Sequence, residues 1–224
     1  MKYQLDNESA HYRSSREALL EAEIALKDQV EKVAALRREL TGDTPVEDYT
    51  LVEGPRNLGA GDTPVANIKL SELFETPAQP LLLVHFMYGK KQTSFCPMCT
   101  MWADGYNGVI AHLRQRANFA ILVAGGLAEA RRFARSRGWQ HIRILSAGDA
   151  TIKTDLGFED EEGDQLPGVS VFKLQDGEPR HFYSGGAIMN DGHYRGMDLL
   201  TPVWNFFDLL PEGRGDWFPS LSYD

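Results

Sequence analysis

The sequence predicts an α/β fold, a central mixed sheet flanked by helices, with a long helical extension in front of it. Three observations carry this expectation. Apolar strand-like runs alternate with helix-like stretches through the middle of the chain, an order that calls for parallel crossovers. Two later strand-like runs are separated by the turn pair Asp176-Gly177, which closes a hairpin. Residues 14 to 40 instead carry an apolar repeat of seven, the period of a helix that packs along one stripe. With 224 residues and 42% apolar content there is material for one buried core plus an appendage. The expected division is a helical extension over 1–45 and an α/β domain over 46–224.

The helix over residues 14 to 40 is opened by a capping box, Ser14 followed by Glu17. Thr41-Gly42-Asp43-Thr44-Pro45 ends it. Leu19, Leu26, Val33 and Leu40 form the stripe, with Ala22, Val30 and Leu36 between them. A single helix must bury such a stripe on a second surface, either its own domain or the same helix of a second copy. A homodimer through this helix is therefore one expectation. Residues 46 to 63 are rich in Gly, Pro and Asp and read as a connector with one strand over 49–52. Residues 68 to 74 read as a short helix with Ser71 near its start, and Pro77 and Pro80 then break the chain. Leu81-Leu82-Leu83-Val84-His85-Phe86-Met87 is apolar on both faces, as a central strand covered on both sides must be. A helical stretch to about Gln115 follows, interrupted by Gly105 and Gly108. Next come a strand over 119–123, a helix over 127–137 and a strand over 142–145. A loop with an acidic run leads to strands over 169–174 and 180–183, and a helix around 199–210 closes the domain.

Charge and hydropathy exclude several classes of partner. The net charge of −9 argues against nucleic acid and anionic membranes, which demand a basic surface. Arg131-Arg132-Phe133-Ala134-Arg135-Ser136-Arg137 is the local exception and reads as a solvated helix face. No apolar run approaches the ~20 residues that span a bilayer. The N-terminus lacks the apolar stretch of a signal peptide, so the expected address is the cytoplasm.

The two cysteines of the chain stand together in Cys96-Pro97-Met98-Cys99, directly after the central-strand candidate. In a reducing compartment such a pair reads as a redox motif. A zinc site is the weaker reading, because His85, His112, His141 and His193 show no spacing that completes a ligand set. No metal and no other cofactor are expected. A cysteine at a helix start faces unpaired N–H groups and the positive end of the dipole, which favour thiolate. Cys96 is thus the expected nucleophile. Pro97 suits the first helical position, and Cys99, nearly one turn on, is placed to attack a mixed disulfide. Lys90 and Lys91 in the preceding loop add positive potential that solvent largely screens.

The order of elements, the Cys-Pro-Met-Cys helix start and Leu166-Pro167-Gly168-Val169-Ser170-Val171-Phe172-Lys173 before the hairpin together resemble the thioredoxin-like superfamily. More closely, His85-Phe86-Met87, the string CPMCTMWADGYNG over 96–108, PGVSVF over 167–172, Tyr194-Arg195-Gly196 and Asp208-Leu209-Leu210-Pro211 resemble the bacterial family of domain of unknown function 899. The likeness spans about residues 51 to 214. The resemblance implies a thiol-disulfide oxidoreductase with Cys96 as nucleophile and Cys99 as resolving thiol. It also implies a cis peptide before Pro167, beside the cysteines. Its substrates would be a disulfide-bearing protein, a small thiol or a peroxide.

The departures from the pattern matter as well. Thioredoxin carries a buried acid in a Val-Asp-Phe-Trp string, where this chain has Val84-His85-Phe86-Met87. His85 is either a proton acceptor for Cys99 or a core histidine satisfied by one hydrogen bond. Asp104 is a second relay group, a turn former beside Gly105, or a surface acid. The run Glu159-Asp160-Glu161-Glu162 with Asp164 reads as a solvated loop near the cysteines. Peroxiredoxins carry Pro-x-x-x-Thr-x-x-Cys; Thr93 matches three residues before Cys96, but Gly89 holds the proline position. A thiol peroxidase is therefore the alternative, and a non-catalytic binding module on the same fold is a third reading.

Overall fold

The computed structural model describes residues 5–190 and 192–223. The chain divides into two compact units, with the division between Thr41 and Gly42. The first unit holds α1 (Ala10–Arg38), whose N-cap is Ser9, its hydroxyl accepting the Tyr12 N–H at 3.0 Å. Ser14 is therefore not the cap. Nothing between Ser9 and Ser14 breaks a helix, so the upstream serine starts it a turn earlier and the expected capping box lies inside the helix. Arg37 and Arg38 occupy the last turn, where cations complement the helix dipole. Leu19, Leu26, Val30 and Leu36 along the stripe are exposed.

The second unit is built on one sheet. Its strands are β1 (Thr44–Pro45), β2 (Thr50–Glu53), β3 (Ala66–Lys69), β4 (Leu81–His85), β5 (Asn118–Val123), β6 (Ile144–Ser146), β7 (Gly168–Gln175) and β8 (Glu178–Gly186). Its helices are α2 (Pro97–Leu113), α3 (Leu127–Ser136), α4 (Ile152–Asp155) and α5 (Pro202–Phe207). The strand order is β1-β8-β7-β4-β5-β6-β2-β3. β4, β5 and β6 run parallel, and β7 and β8 form an antiparallel hairpin on the other side of β4. This central arrangement, with α2 and α3 as crossovers, is the thioredoxin-like fold. β2 and β3 extend the β6 edge, and β1 covers part of β8.

Strand periodicity assigns residues to the two faces of the sheet. Val84, Phe86, Phe119, Ile121 and Val123 pack with Trp102, Tyr106 and Ile110 of α2 and Ala130 and Ala134 of α3. Leu81, Leu83, Ala120 and Leu122 alternate with them and pack with Leu51, Leu70, Leu73, Ile152 and Phe172. His85 shares its parity with Leu81 and Leu83, so it belongs to the face that carries α4. Each fully buried leucine contributes about 1.5–3 kcal/mol, which is why β4 and β5, covered on both sides, anchor the sheet.

Beyond the cap of α1, the fold departs from the sequence expectation in four places. Ile68 and Lys69 belong to β3 rather than to the expected helix, because residues 66–69 pair with β2 from Thr50↔Lys69 to Glu53↔Ala66. Only Leu70–Leu73 coil, as a 3-10 turn whose Ser71 N–H and hydroxyl bond Asp48 at 2.8 and 2.9 Å. α2 runs unbroken through Gly105 and Gly108; its buried face carries it across them, and at Gly105 an added Cβ would already touch Thr201 and Pro202 at 4.0 Å. The closing helix is split into a 3-10 turn (Asp198–Leu200) and α5. Pro202 forces that break, since proline starts a helix and keeps the residue before it extended; Thr201 has φ −138° and ψ 140°.

The fourth departure is the arginine cluster, which is not a solvated face. Arg131 is 1% exposed and bonds Asp62 and the Gly61 carbonyl at 3.1 and 2.6 Å. Arg135 grips the same Asp62 carboxylate with two nitrogens, at 2.7 and 2.9 Å. Arg137 pairs with Asp104. Arg131 and Arg135 are thus struts to the loop that carries Asp62 and Arg137 is one to α2, while Arg132 stays exposed.

Candidate active site

The cysteines are delivered to the helix start by a loop fixed at several points. Gly89 and Gln92 exchange backbone bonds at 2.8 and 3.1 Å. Gly89 has φ +100°, and a Cβ there would sit 2.3 Å from the Gly125 nitrogen, so only glycine fits. Phe95, adjacent to Cys96, is stacked between Tyr88 and Phe133 with ring centroids 3.9 Å away on each side. Lys90 pairs with Glu159 at 2.6 Å, tying the loop to the segment after α4. That pairing also corrects two expectations: Lys90 is neutralised in place, and Glu159 is buried rather than solvated.

Cys96 is the N-cap of α2, with extended backbone at φ −68° and ψ 121°. Its Sγ accepts the Cys99 N–H at 3.3 Å, and Pro97 opens the helix. Both cysteines are free thiols, Cys96 half-buried and Cys99 buried. The hydrogen bond from the Cys99 thiol is the main force lowering the Cys96 pKa to about 7, with the Cys99 and Met98 N–H groups adding to it and burial opposing. Cys99 is held well above the usual thiol range, first by burial, then by its bond to Cys96 and the Cys96 negative charge. The Met87 N–H and the Lys153 charge pull the other way. One thiol thus ionises near neutrality while its neighbour stays protonated.

His85 is 1% exposed, stacked 3.9 Å from Phe158. Its Nε2 shares a 2.9 Å hydrogen bond with Ser170 Oγ, which continues to Ser184 Oγ at 2.7 Å and His181 Nε2 at 2.8 Å. Its Nδ1 has no hydrogen-bond partner among the described residues. Burial, and then the nearby Lys153, keep the ring neutral well below its usual range. Thr93 is exposed. Asp104 spends its carboxylate on Arg137 and on Trp139 Nε1, at 2.7 Å from the indole, pinning α2 to α3.

Pro167 departs from the pattern the resemblance implies. Gly168 pairs with His85 across β7 and β4, so Pro167 lies at the sheet end that bears the cysteine loop. Its peptide bond is trans, and the cis X-Pro bond among the described residues is Thr63–Pro64. The segment is held straight into β7 by Leu166 N–H bonding the Phe158 carbonyl at 3.0 Å and Ala187 N–H bonding the Pro167 carbonyl at 3.2 Å. With those bonds made, the ordinary preference for trans is unopposed.

Sequence reasoning missed Lys153. It sits on α4, 1% exposed, with Nζ 3.4 Å from the Phe86 carbonyl and no carboxylate within 4.0 Å among the described residues. Burial lowers its pKa to about 8; the Cys99 and Glu159 charges resist that shift and Lys90 adds to it. No local signal marks it, because a lysine in a polar stretch reads as solvated until the fold closes over it. A hollow of about 660 Å³, lined by Arg56, Arg114, Arg135, Trp139, His141 and Arg143, contains neither cysteine. Arg135 and Arg143 are already paired there, so the cysteine end of the sheet, not this hollow, holds the reactive groups.

A cysteine pair opening the helix that follows the central strand of this sheet defines a protein of thioredoxin-like fold. The chain belongs to the family described as bacterial protein of unknown function (DUF899), whose model matches residues 1–222. No curated protein matches the sequence. Among solved structures it is similar to a peroxiredoxin at 13% identity and TM-score 0.51, over 70% of this chain and 96% of that one. It is also similar to the mitochondrial 2-Cys peroxiredoxin of Plasmodium falciparum, at 14% identity and TM-score 0.47 over 79% and 99% of the two chains. A third is PrxQ of Xylella fastidiosa, at 14% identity and TM-score 0.49 over 70% and 91%. The likeness is one of fold. Among the described residues no helix is long and apolar enough to cross a membrane.

Proposed function

We propose that this protein is a thiol-disulfide oxidoreductase in which Cys96 attacks a disulfide and Cys99 resolves the product. The observation that carries the reading is the Cys96 sulfur at the head of α2, bonded by the Cys99 N–H at 3.3 Å and brought to a pKa of about 7. The Cys96 thiolate bonds to one substrate sulfur and the other leaves as a thiolate. Cys99 then attacks the Cys96 sulfur, the remaining substrate sulfur departs and takes up a proton, and the Cys96–Cys99 disulfide is left. The protein loses two electrons and the substrate gains them. Disulfide-bearing proteins and small disulfides are the substrate class, since a helix-start thiolate beside a buried partner suits both.

Poising the protein in dithiothreitol or glutathione buffers and alkylating it should give one two-electron transition. Cys96→Ser and Cys99→Ser should each abolish it, and a wild-type chain with no transition would sink the proposal. Hydrogen peroxide consumed far faster than by free cysteine would move the assignment to a thiol peroxidase, with Cys96 as the attacked group and Cys99 resolving.

A further inference from the structure

A buried lysine with no carboxylate partner is costly, and such residues concentrate where chemistry needs them. Lys153 is of that kind. Its Nζ lies 3.4 Å from the Phe86 carbonyl oxygen. The Met87 N–H, the other end of the same peptide group, favours the thiolate of Cys99. A cation at the carbonyl end of a peptide polarises it and makes its N–H a stronger donor. The charge of Lys153 is thus delivered to Cys99 through one peptide plane. The other titratable groups that face it are Glu159 and Lys90 from the flanking loops and His85 from β4. Glu159 already bonds Lys90 at 2.6 Å and Gln165 at 2.8 Å, so it does not cancel the lysine.

We propose that Lys153 is a positioning residue for the resolving step, its ammonium acting through the Phe86–Met87 peptide to stabilise negative charge on Cys99 as that thiol attacks. This rests on the oxidoreductase reading above. In the step, the Cys99–Cys96 sulfur bond forms and the Cys96–substrate sulfur bond breaks. The Cys99 proton ends on the departing substrate thiolate. Lys153 takes no part in the first attack, because Cys96 is activated by Cys99 and the helix-start N–H groups.

The test uses the full chain and 5,5′-dithiobis(2-nitrobenzoate), which releases one coloured thiolate when Cys96 attacks and a second when Cys99 resolves. Lys153→Met should leave the first release within about twofold and slow the second about tenfold at pH 7, a change of one pKa unit in the attacking thiol. Lys153→Arg keeps the charge and should recover most of the second rate. The wild-type advantage should fade as pH rises through about 8, where Lys153 loses its proton, and the two proteins should converge above it. A merely structural lysine would slow both releases together with no such convergence. Replacing a buried charge by an apolar side chain of similar size is often neutral or stabilising, so Lys153→Met should fold. Should it not, a wild-type second release with no inflection near pH 8 overturns the proposal by itself. A second release that is present in wild type but indifferent to Lys153 also overturns it, while the oxidoreductase reading stands. No second release in wild type defeats both.

Discussion

Cys99→Ser is expected to hold the protein at the mixed disulfide, releasing one equivalent of thiolate from a disulfide reagent and no second. The reason is geometric. Cys99 is the other cysteine of the chain, and its N–H bonds the Cys96 sulfur at 3.3 Å, so nothing else is placed to resolve the intermediate. The same residue sets the reactivity of its neighbour, because the Cys99 thiol hydrogen bond is the first cause of the lowered Cys96 pKa. Cys99→Ala removes that donor and should move the midpoint of iodoacetamide alkylation from about 7 toward the ordinary thiol value of about 8.5. Cys99→Ser keeps a donor and should fall between. At neutral pH the alanine variant should react about tenfold more slowly, one pKa unit corresponding to a factor of ten in thiolate. Identical alkylation profiles for the three proteins would show that Cys99 does not activate Cys96.

Glu53→Gln is expected to cost about 3–5 kcal/mol of stability, the usual consequence of breaking a buried ion pair from one side. Glu53 on β2 and Arg143, just before β6, are 7% and 4% exposed and meet through two contacts at 2.5 and 2.8 Å. Glu75 reaches Arg143 at 3.2 Å, but as a half-exposed side chain it leaves most of the cost in place. The pair bolts β2, and β3 beyond it, onto the parallel strands. Urea unfolding should show the loss, and a double replacement by Leu and Met should recover much of it, since neither charge is then stranded. A loss under about 1 kcal/mol for the single change would mean that the pair behaves as a surface bridge.

Much of this molecule was legible in its residues. β4, β5, α3 and the β7–β8 hairpin lie where apolar runs and turn pairs placed them, and Cys96 caps α2 as a cysteine before proline at a helix start should. Those features are local: each depends on neighbours within one or two turns. The misreadings are of another kind. Gly105 looked like a break, yet the buried face of α2 outweighs its propensity. Arg131 looked solvated, yet its partner Asp62 lies 69 residues away. Pro167 seemed to follow the family pattern, yet bonds to Phe158 and Ala187 accompany a trans peptide there.

By itself the sequence determined the thiol pair, the strand that presents it and the order of elements that makes the sheet, because short-range periodicity and helix-start chemistry are written in adjacent residues. Only the tertiary structure decided which polar groups are buried and what they meet. Lys153 comes from α4 and reaches the carbonyl of Phe86, 67 residues away, and the His85–Ser170–Ser184–His181 chain is assembled from three strands. Burial, not residue type, turns that lysine from a solvated charge into one that acts on Cys99, and burial is a property of the closed fold.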